Sequence, residues 1–330
     1  MKTQVAPVRT SAQRADAIEA AVYLLTGGYP VALPTETVYG LAAWALNRDS
    51  VMRIFQAKER PKFDPLIVHL PRLDWLTNLC VIQDEEWELV EKLVEKFWPG
   101  PLTLVLPRNK IVPDLVTAGL PTVAVRMSAQ PVFKEIIENF GQPLAAPSAN
   151  RFGRISPTTA AHVQEELDGR IHLIVDDGPC PFGMESTIVK PSNGTLWVLR
   201  DGPVTRAQLA EFGDVQTQPR SNVPNSPGQL KSHYAPRTPV TLLPLDTMPP
   251  ASSQGRVGLL AWSSEPPQHN FVHIEMLSPS GNYQEAASTL FAKLRILDSF
   301  GLDRIIVESV VEEGLGIAIM DRLRKASGNG

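Results

Sequence analysis

Hydrophobic and polar positions along the chain alternate between helical and strand-like spacing. Residues 11–28 carry apolar side chains at helical spacing and end at Gly27-Gly28, which is typical of a helix C-cap. The next stretch, "YPVALP", has the short apolar run of a buried strand. Further helices are predicted over residues 49–58, 85–98, 130–141 and 158–168. Further strands are predicted over residues 66–70, 102–106, 122–127, 143–147 and 172–177. Interleaved helices and strands indicate an α/β domain.

One hairpin interrupts this alternation. The stretch "STIVKPSNGTLWVLR" contains two strand-like runs joined at Asn193-Gly194, a dipeptide that favours a tight hairpin turn. A hairpin pairs its strands antiparallel, whereas strands joined through helices usually pair in parallel. The sequence therefore predicts a mixed sheet.

A change of composition divides the chain. Residues 214–239 contain five prolines and almost no apolar periodicity, which is typical of a linker. From residue 240 onwards, strand-like and helical patterns alternate again, as expected of a smaller α/β domain. Since 330 residues exceed what one core usually organises, we predict a first domain over 1–213 and a second over 240–330.

Charge and cysteine content narrow the class of protein. The formal net charge of −4 argues against a protein that coats nucleic acid, although a local basic patch is compatible with it. Cys80 and Cys180 fit neither a metal-ligand spacing nor a disulfide framework, which favours a reducing compartment. The N-terminus lacks a signal-peptide core and the apolar runs are too short to span a bilayer, so we expect a soluble, cytoplasmic protein.

Familiar nucleotide and hydrolase motifs are missing from the sequence. It contains no GxxxxGK[ST] loop, no GxGxxG after a strand, no HExxH and no GxSxG. Thr35, Glu36 and Thr37 nevertheless follow the strand "VALP", where open α/β sheets bind ligands. A turn or helix cap explains these three residues equally well.

Cations follow the second predicted helix in "KERPK", residues 58–62. They fit either a phosphate clamp or a solvated helix C-terminus, because cations complement the negative end of a helix. His69 lies within an apolar strand, where a histidine is more often a core residue than a reactive one.

In the strand "TVAVRM", Thr122, Ala124 and Arg126 share one face. An arginine in such a strand needs an anion, which a substrate carboxylate, a phosphate or an internal salt bridge would supply. The later stretch "APSANRFGRISPT" places hydroxyls and amides after another strand, including Ser148 and Asn150, and caps or turns would also account for them.

Six motifs together are more specific than any one of them. PTETVYGL, KxRP, PLIVH, TVAVR, SAN and GMESTIV occur in this order and at these spacings. The set closely resembles the threonylcarbamoyl-AMP synthase family in its long form, which has a YrdC-like catalytic domain and a C-terminal extension. The resemblance covers essentially the whole chain, since "SPGQLKSHYAPRTP" matches the family's interdomain linker and "GLGIAIMDRLRKA" its C-terminal end. It implies a twisted mixed-sheet YrdC-like domain and a smaller, Rossmann-like α/β domain.

The resemblance also implies roles for individual residues. Those expected around L-threonine are Thr35, His69, Arg126 and Ser186, with Arg126 taking the carboxylate. Those expected around ATP are Lys58, Lys62, Thr122, Ser148, Ser156, Arg200 and Tyr234, the last closing over the nucleotide from the linker. Those expected to act at the phosphates, in the KxR and SxN signatures, are Lys58, Arg60, Ser148 and Asn150.

The reaction that the resemblance implies joins L-threonine, bicarbonate and ATP into threonylcarbamoyl-AMP and pyrophosphate. Mg²⁺ is expected to enter with the triphosphate, with no assigned protein ligand and no organic cofactor. Partner proteins would accept the adenylate and modify the adenosine beside the anticodon of certain tRNAs, with transient tRNA contact possible and no membrane partner. The domain after residue 240 contains no residue that we predict to be catalytic.

Two other functions fit part of the pattern. An RNA-binding module could use the basic cavity without chemistry, but the acidic balance and the lack of aromatics among the cations favour small anionic ligands. A carbamoyl-adenylate enzyme with another acyl donor is the second alternative, and the match of linker and C-terminus argues against it.

Overall fold

The structure is a computed structural model that describes residues 2–217, 234–250, 254–267 and 270–328. The chain forms two compact units. The first comprises the described parts of Met1–Phe152, Pro157–Cys180 and Glu185–Gln229. The second comprises those of Gly153–Ser156, Pro181–Met184 and Leu230–Gly330.

The first unit contains eleven strands and eight helices among its described residues. The strands are β1 (Gln4–Pro7), β2 (Val31–Leu33), β3 (Gly40–Trp44), β4 (Ile67–His69), β5 (Leu102–Pro107), β6 (Thr122–Arg126), β7 (Leu144–Ala145), β8 (Leu173–Asp176), β9 (Thr187–Ser192), β10 (Thr195–Arg200) and β11 (Asp214–Thr217). The helices are α1 (Ser11–Thr26), α2 (Arg48–Lys58), α3 (Trp75–Leu79), α4 (Asp84–Phe97), α5 (Asp114–Thr117), α6 (Pro131–Phe140), α7 (Ala160–Leu167) and α8 (Arg206–Leu209).

These strands form one mixed sheet in the order β1-β8-β2-β3-β7-β4-β6-β5-β9-β10-β11. Parallel pairs such as β4 with β6 stand beside antiparallel pairs such as β5 with β6. The predicted hairpin is confirmed, with β9 and β10 antiparallel and both turn residues, Asn193 and Gly194, at positive φ. The mixed sheet predicted from the sequence is therefore present.

Alternating side chains along the central strands enter two different apolar cores. Val31 and Leu33 of β2 pack with α1 and α6, whereas Ala32 between them belongs to the larger core with α2 and α4. On β8, Leu173 and Val175 likewise pack in the core with α1 and α6, whereas Ile174 packs in the larger core. Both faces of this part of the sheet are thus covered, which explains the nearly continuous apolar runs of its strands.

Strand β3 is the main element that the sequence pattern did not reveal. Residues 40–44 were assigned to no predicted element, and in the structure they pair antiparallel with β2, with Val31 opposite Ala42. The segment predicted as a linker begins with β11, which pairs in parallel with β10. Residues 218–233 of that segment lie outside the described residues.

The second unit contains a four-stranded, all-parallel sheet in the order β12-β15-β13-β14. Its elements are β12 (Val240–Leu242), β13 (Val257–Ala261), β14 (His273–Met276), α9 (Tyr283–Asp298), β15 (Arg304–Val307) and α10 (Leu315–Ala326). Gly153–Ser156 groups with this unit, and the Ala235 amide donates to the Gly153 carbonyl at 3.0 Å. The predicted second α/β domain is confirmed.

No helix within the described ranges is long and apolar enough to cross a membrane.

Candidate active site

A small apolar cluster lies on the face of the first unit's sheet that carries His69 and Arg126 of the predicted site. Ile67, Val105, Ala124 and Ile188 form a separate small cluster on neighbouring strands β4, β6, β5 and β9. Because side chains alternate along a strand, the face that carries Ile67 also carries His69, and the face that carries Ala124 also carries Arg126. His69 and Arg126 are register partners at the carboxyl ends of two parallel strands.

Arg126 is buried and held on three sides. Its Nη2 forms an ion pair with Glu36 Oε1 at 2.5 Å, Nη1 donates to Thr37 Oγ1 at 3.1 Å, and Nε donates to the Gly100 carbonyl at 3.0 Å. The internal salt bridge that the sequence left open is therefore present. This salt bridge does not use all the donors of the guanidinium, which carries five N–H groups.

Thr35 and Thr37 extend this network into the turn after β2. The Thr35 hydroxyl lies 2.8 Å from that of Thr37, donates to the Val38 carbonyl at 2.6 Å and accepts from the Thr37 and Val38 amides. The turn interpretation of these threonines is thus realised. The same hydroxyls also connect the turn to Arg126 through Thr37.

Glu36 is the site residue whose role the sequence did not reveal. It was expected to hold the turn, yet its carboxylate pairs with Arg126 and accepts a hydrogen bond from Ser128 Oγ. Burial raises the pKa of Glu36, but the charge of Arg126 and the Ser128 hydrogen bond outweigh it and leave that pKa below the usual value. No local signal in the sequence connects Glu36 with Arg126, because the two residues are far apart along the chain.

His69 is buried against Phe133, with ring centroids 4.7 Å apart. Burial, and then the neighbouring charge of Arg126, lower the pKa of His69 well below its usual value. Its Nδ1 has no hydrogen-bond partner within the part of the chain that the structure describes. A neutral imidazole therefore lies beside the buried arginine, within the predicted threonine site.

The KERPK segment is only partly a solvated helix end. Lys58, the last residue of α2, is 1 % exposed, and Arg60 is also buried, whereas Lys62 is exposed. Arg60 pairs with buried Asp64 at 2.8 Å. Burial, and then the charge of Arg60, lower the pKa of Lys58 well below its usual value. Lys62 does not share the buried setting of the other two cations.

Lys58 ties α2 to the SAN segment after β7. Its Nζ donates to the carbonyls of Ser148 and Asn150, each at 2.5 Å. The Asn150 side chain donates to the Arg151 carbonyl at 2.8 Å. The KxR and SxN signatures, far apart in sequence, are therefore in direct contact.

Ser186 and Arg200 lie together near the start of β9 and the end of β10. Arg200 donates from Nε to the Ser186 carbonyl at 3.0 Å and from Nη2 to its hydroxyl at 3.1 Å. Thr103 on β5, which the sequence did not single out, lies 2.8 Å from the same hydroxyl. A predicted threonine contact and a predicted ATP contact are thus joined.

The contacts described so far do not include three of the predicted ATP contacts. Thr122 begins β6, about 13 Å along the strand from Arg126 at the usual rise per residue. Ser156 and Tyr234 belong to the second unit and are fully buried. The Tyr234 ring packs against Phe291 and beneath the guanidinium of Arg322, 5.3 Å from its centroid.

The acidic groups of the site are engaged. Glu36 and Asp64, the buried carboxylates described above, each pair with an arginine, so we assign neither to a metal. Within the described ranges, no group of three or more His, Cys, Asp and Glu side chains could hold a metal ion.

A surface cleft of about 330 Å³ lies at the amino-terminal ends of β2 and β8. Its cations already have partners: Arg170 pairs with Glu59 at 2.7 Å, and Arg53 stacks over Tyr29, 4.4 Å from the ring centroid. None of the predicted site residues lines this cleft.

Comparison with known proteins supports the resemblance over both units. A family model of the Sua5, YciO and YrdC proteins, described as telomere recombination, matches residues 23–202. A second, described as the threonylcarbamoyl-AMP synthase C-terminal domain, matches residues 204–328. A threonylcarbamoyl-AMP synthase of Pyrococcus abyssi is 39 % identical, over 94 % of each chain. The chain belongs to the threonylcarbamoyl-AMP synthase family.

Another relative and two solved structures are also similar to this chain. A threonylcarbamoyl-AMP synthase of Bacillus subtilis is 39 % identical, over 94 % of this chain and 93 % of its own. The crystal structure of P. abyssi Sua5 complexed with L-threonine superposes with a TM-score of 0.88 at 36 % identity, covering 99 % of this chain and 98 % of that one. E. coli YciO, at 18 % identity and a TM-score of 0.51, covers 61 % of this chain and shares the fold of the first unit. The long, two-domain threonylcarbamoyl-AMP synthase architecture is therefore confirmed, and the chain is an enzyme.

Proposed function

We propose that this protein is an L-threonylcarbamoyladenylate synthase, a nucleotidyltransferase that uses L-threonine, bicarbonate or CO₂, and ATP. The observation that carries the proposal is the match to synthases of this name over 94 % of the chain, through both units rather than the sheet alone. The product would be threonylcarbamoyl-AMP with release of pyrophosphate. Downstream proteins would accept the adenylate for tRNA modification.

The chemistry needs no protein nucleophile. The unprotonated amine of threonine adds to CO₂, forming a carbamate and releasing a proton. A carbamate oxygen then attacks the α-phosphorus of ATP, and the bond to the bridging oxygen breaks as pyrophosphate leaves. Catalysis of such a step consists mainly of positioning two anions and stabilising charge on the phosphates.

The threonine end of the site is the network around Arg126. Arg126 would take the carboxylate, and Thr35, His69 and Ser186 would surround the rest of the amino acid. The low pKa of His69 supports this role, because a neutral imidazole can accept a hydrogen bond at neutral pH. Burial of Arg126 strengthens its interaction with an anion, since water does not screen it.

The nucleotide end is the cluster that Lys58 organises. Lys58, Arg60, Ser148 and Asn150 would act at the phosphates, and Arg200 would add positive charge beside Ser186. Thr122, at the start of β6, would contact another part of the nucleotide. Lys62, Ser156 and Tyr234 are the remaining proposed ATP contacts. Mg²⁺ would arrive on the triphosphate and neutralise part of its charge.

Pyrophosphate release tests the proposed reaction. We expect release from ATP with threonine and bicarbonate together, and little when either is omitted or when serine replaces threonine. Equal release without threonine would contradict the assignment. Tight binding of RNA with no pyrophosphate release under any condition would instead favour the RNA-binding module.

A further inference from the structure

Five polar residues of the first unit form one continuous buried network. A chain of hydrogen bonds leads from Arg126 Nη1 to the Thr37 hydroxyl and on to the Thr35 hydroxyl. On the other side of the guanidinium, Nη2 pairs with Glu36, which also accepts from Ser128. All five residues are buried. Each group in the network therefore depends on its neighbours for its orientation.

The network fixes which part of the arginine can meet a ligand. Glu36 engages Nη2, and the Gly100 carbonyl engages Nε. Thr37 accepts from Nη1, which carries a second N–H. Without Glu36, the Nη2 atom of the guanidinium would lose its charged partner. Glu36 therefore holds the guanidinium of Arg126 in place, which formation of the turn alone would not require.

The ion pair also sets the local charge. Paired with Glu36, Arg126 belongs to a couple of zero net charge, in which the carboxylate offsets part of the positive field of the guanidinium. An unpaired buried arginine would attract any anion, including a phosphate. A neutral couple suits a singly charged carboxylate better than a multiply charged phosphate, which the carboxylate of Glu36 would repel.

We propose that Glu36 is a positioning and selectivity residue: it orients Arg126 toward the amino-acid carboxylate and keeps phosphates out of the threonine subsite. This inference rests on the proposed function, because it assumes that Arg126 binds the carboxylate of threonine. Glu36 itself acts through Arg126 and needs no contact with the substrate.

Glu36→Gln tests the inference, because it keeps the shape of the side chain and removes the charge. By analogy with other residues that orient ligand-binding groups, we expect about a 10–100-fold loss of threonine affinity in titration calorimetry. ATP affinity should change by less than about threefold. Inorganic phosphate, added to the variant, should become a competitor of threonine, which it should not be in the unchanged protein. Glu36→Asp should restore part of the threonine affinity.

Three further variants make the result unambiguous. Glu88→Gln, on the exposed ion pair with Lys92, is the matched control and should behave like the unchanged protein. Glu36→Gln introduced into the Arg126→Lys variant should reduce threonine affinity by a smaller factor than Glu36→Gln does in the unchanged protein, because Glu36 acts through the arginine. If Glu36→Gln fails to fold, Ser128→Ala removes only one hydrogen bond from Glu36 and should still weaken threonine binding several-fold.

Two outcomes would overturn the inference. The first is that folded Glu36→Gln protein binds threonine as tightly as the unchanged protein does. If that variant does not fold, the same result with folded Ser128→Ala protein counts instead. The second is that the folded variant loses threonine affinity and ATP affinity equally, and that phosphate does not compete with threonine. Failure of the unchanged protein to bind threonine would be a different result, since it would contradict the proposed function itself.

Discussion

Burial determines the chemistry of single residues in this site more than residue type does. His69 looked like a core histidine in the sequence, and it is buried against Phe133, yet it also lies beside Arg126. A solvated histidine would titrate close to physiological pH, whereas burial and the nearby cation keep this one neutral. The core and the functional interpretations of His69 are therefore compatible.

The neutral state of His69 has a testable pH dependence. Below pH 6.5 an unfolded chain protonates this histidine while the folded protein does not, so the unfolded state binds more protons and stability falls as the pH falls. We expect the His69 ring resonances, assigned by their loss in His69→Asn, to stay constant from pH 7.5 to about 6. The free energy of unfolding should fall less over this range in the variant than in the unchanged protein. A His69 titration centred on pH 6.5 would contradict the assignment of a neutral ring.

At the scale of elements, one side chain joins two segments that are distant along the chain. Lys58 is the last residue of α2, and its ammonium holds two carbonyls of the segment after β7. The backbone adds a bond between the same two segments, in which the Phe152 amide donates to the Lys58 carbonyl at 2.8 Å. This helix end therefore sets the position of the SAN segment.

Lys58→Met removes these bonds at similar side-chain volume. Two buried carbonyls would lose a donor, and each such loss costs about 1–3 kcal/mol. We expect a lower free energy of unfolding in denaturant titrations and weaker ATP binding, with threonine binding less affected. Lys92→Met on α4, where the lysine is exposed and pairs with Glu88, is the control and should change stability by less than about 0.5 kcal/mol. Equal stability of the two variants would show that the Lys58 bonds contribute little.

At the scale of the whole molecule, the edge of the first unit lies further along the chain than composition indicated. Leu209 is fully buried in the large core, and Phe212 and Val215 pack against it. β11 then adds a final strand to the sheet. The sequence shows no apolar periodicity here because α8 and β11 are each only four residues long.

Truncation tests where the first unit ends. A chain ending at Thr217 keeps α8 and β11, whereas one ending at Arg206 loses Leu209, whose burial is worth about 1.5–3 kcal/mol. We expect the longer chain to unfold at a higher temperature in calorimetry, and Leu209→Ala in the full-length protein to reproduce part of the difference. Both truncated chains should lose synthase activity, because they lack Tyr234, and Ser156 loses the rest of the unit with which it groups. Full activity in the longer truncated chain would show that the second unit is dispensable for catalysis.

The sequence by itself determined the alternation of helices and strands, the hairpin, the division into two α/β units and the family. These features depend on local spacing, on turn chemistry at Asn193-Gly194 and on motifs that each lie within a few residues. It could not determine that Lys58 is buried while Lys62 is exposed, because both fit the end of the same helix. It could not choose between a ligand and an internal partner for Arg126, or find the task of Glu36, since that pair joins residues 90 positions apart. Only the tertiary structure decided these points, because burial, and the long-range pairing that makes it tolerable for a charge, arise when the strands assemble into one sheet.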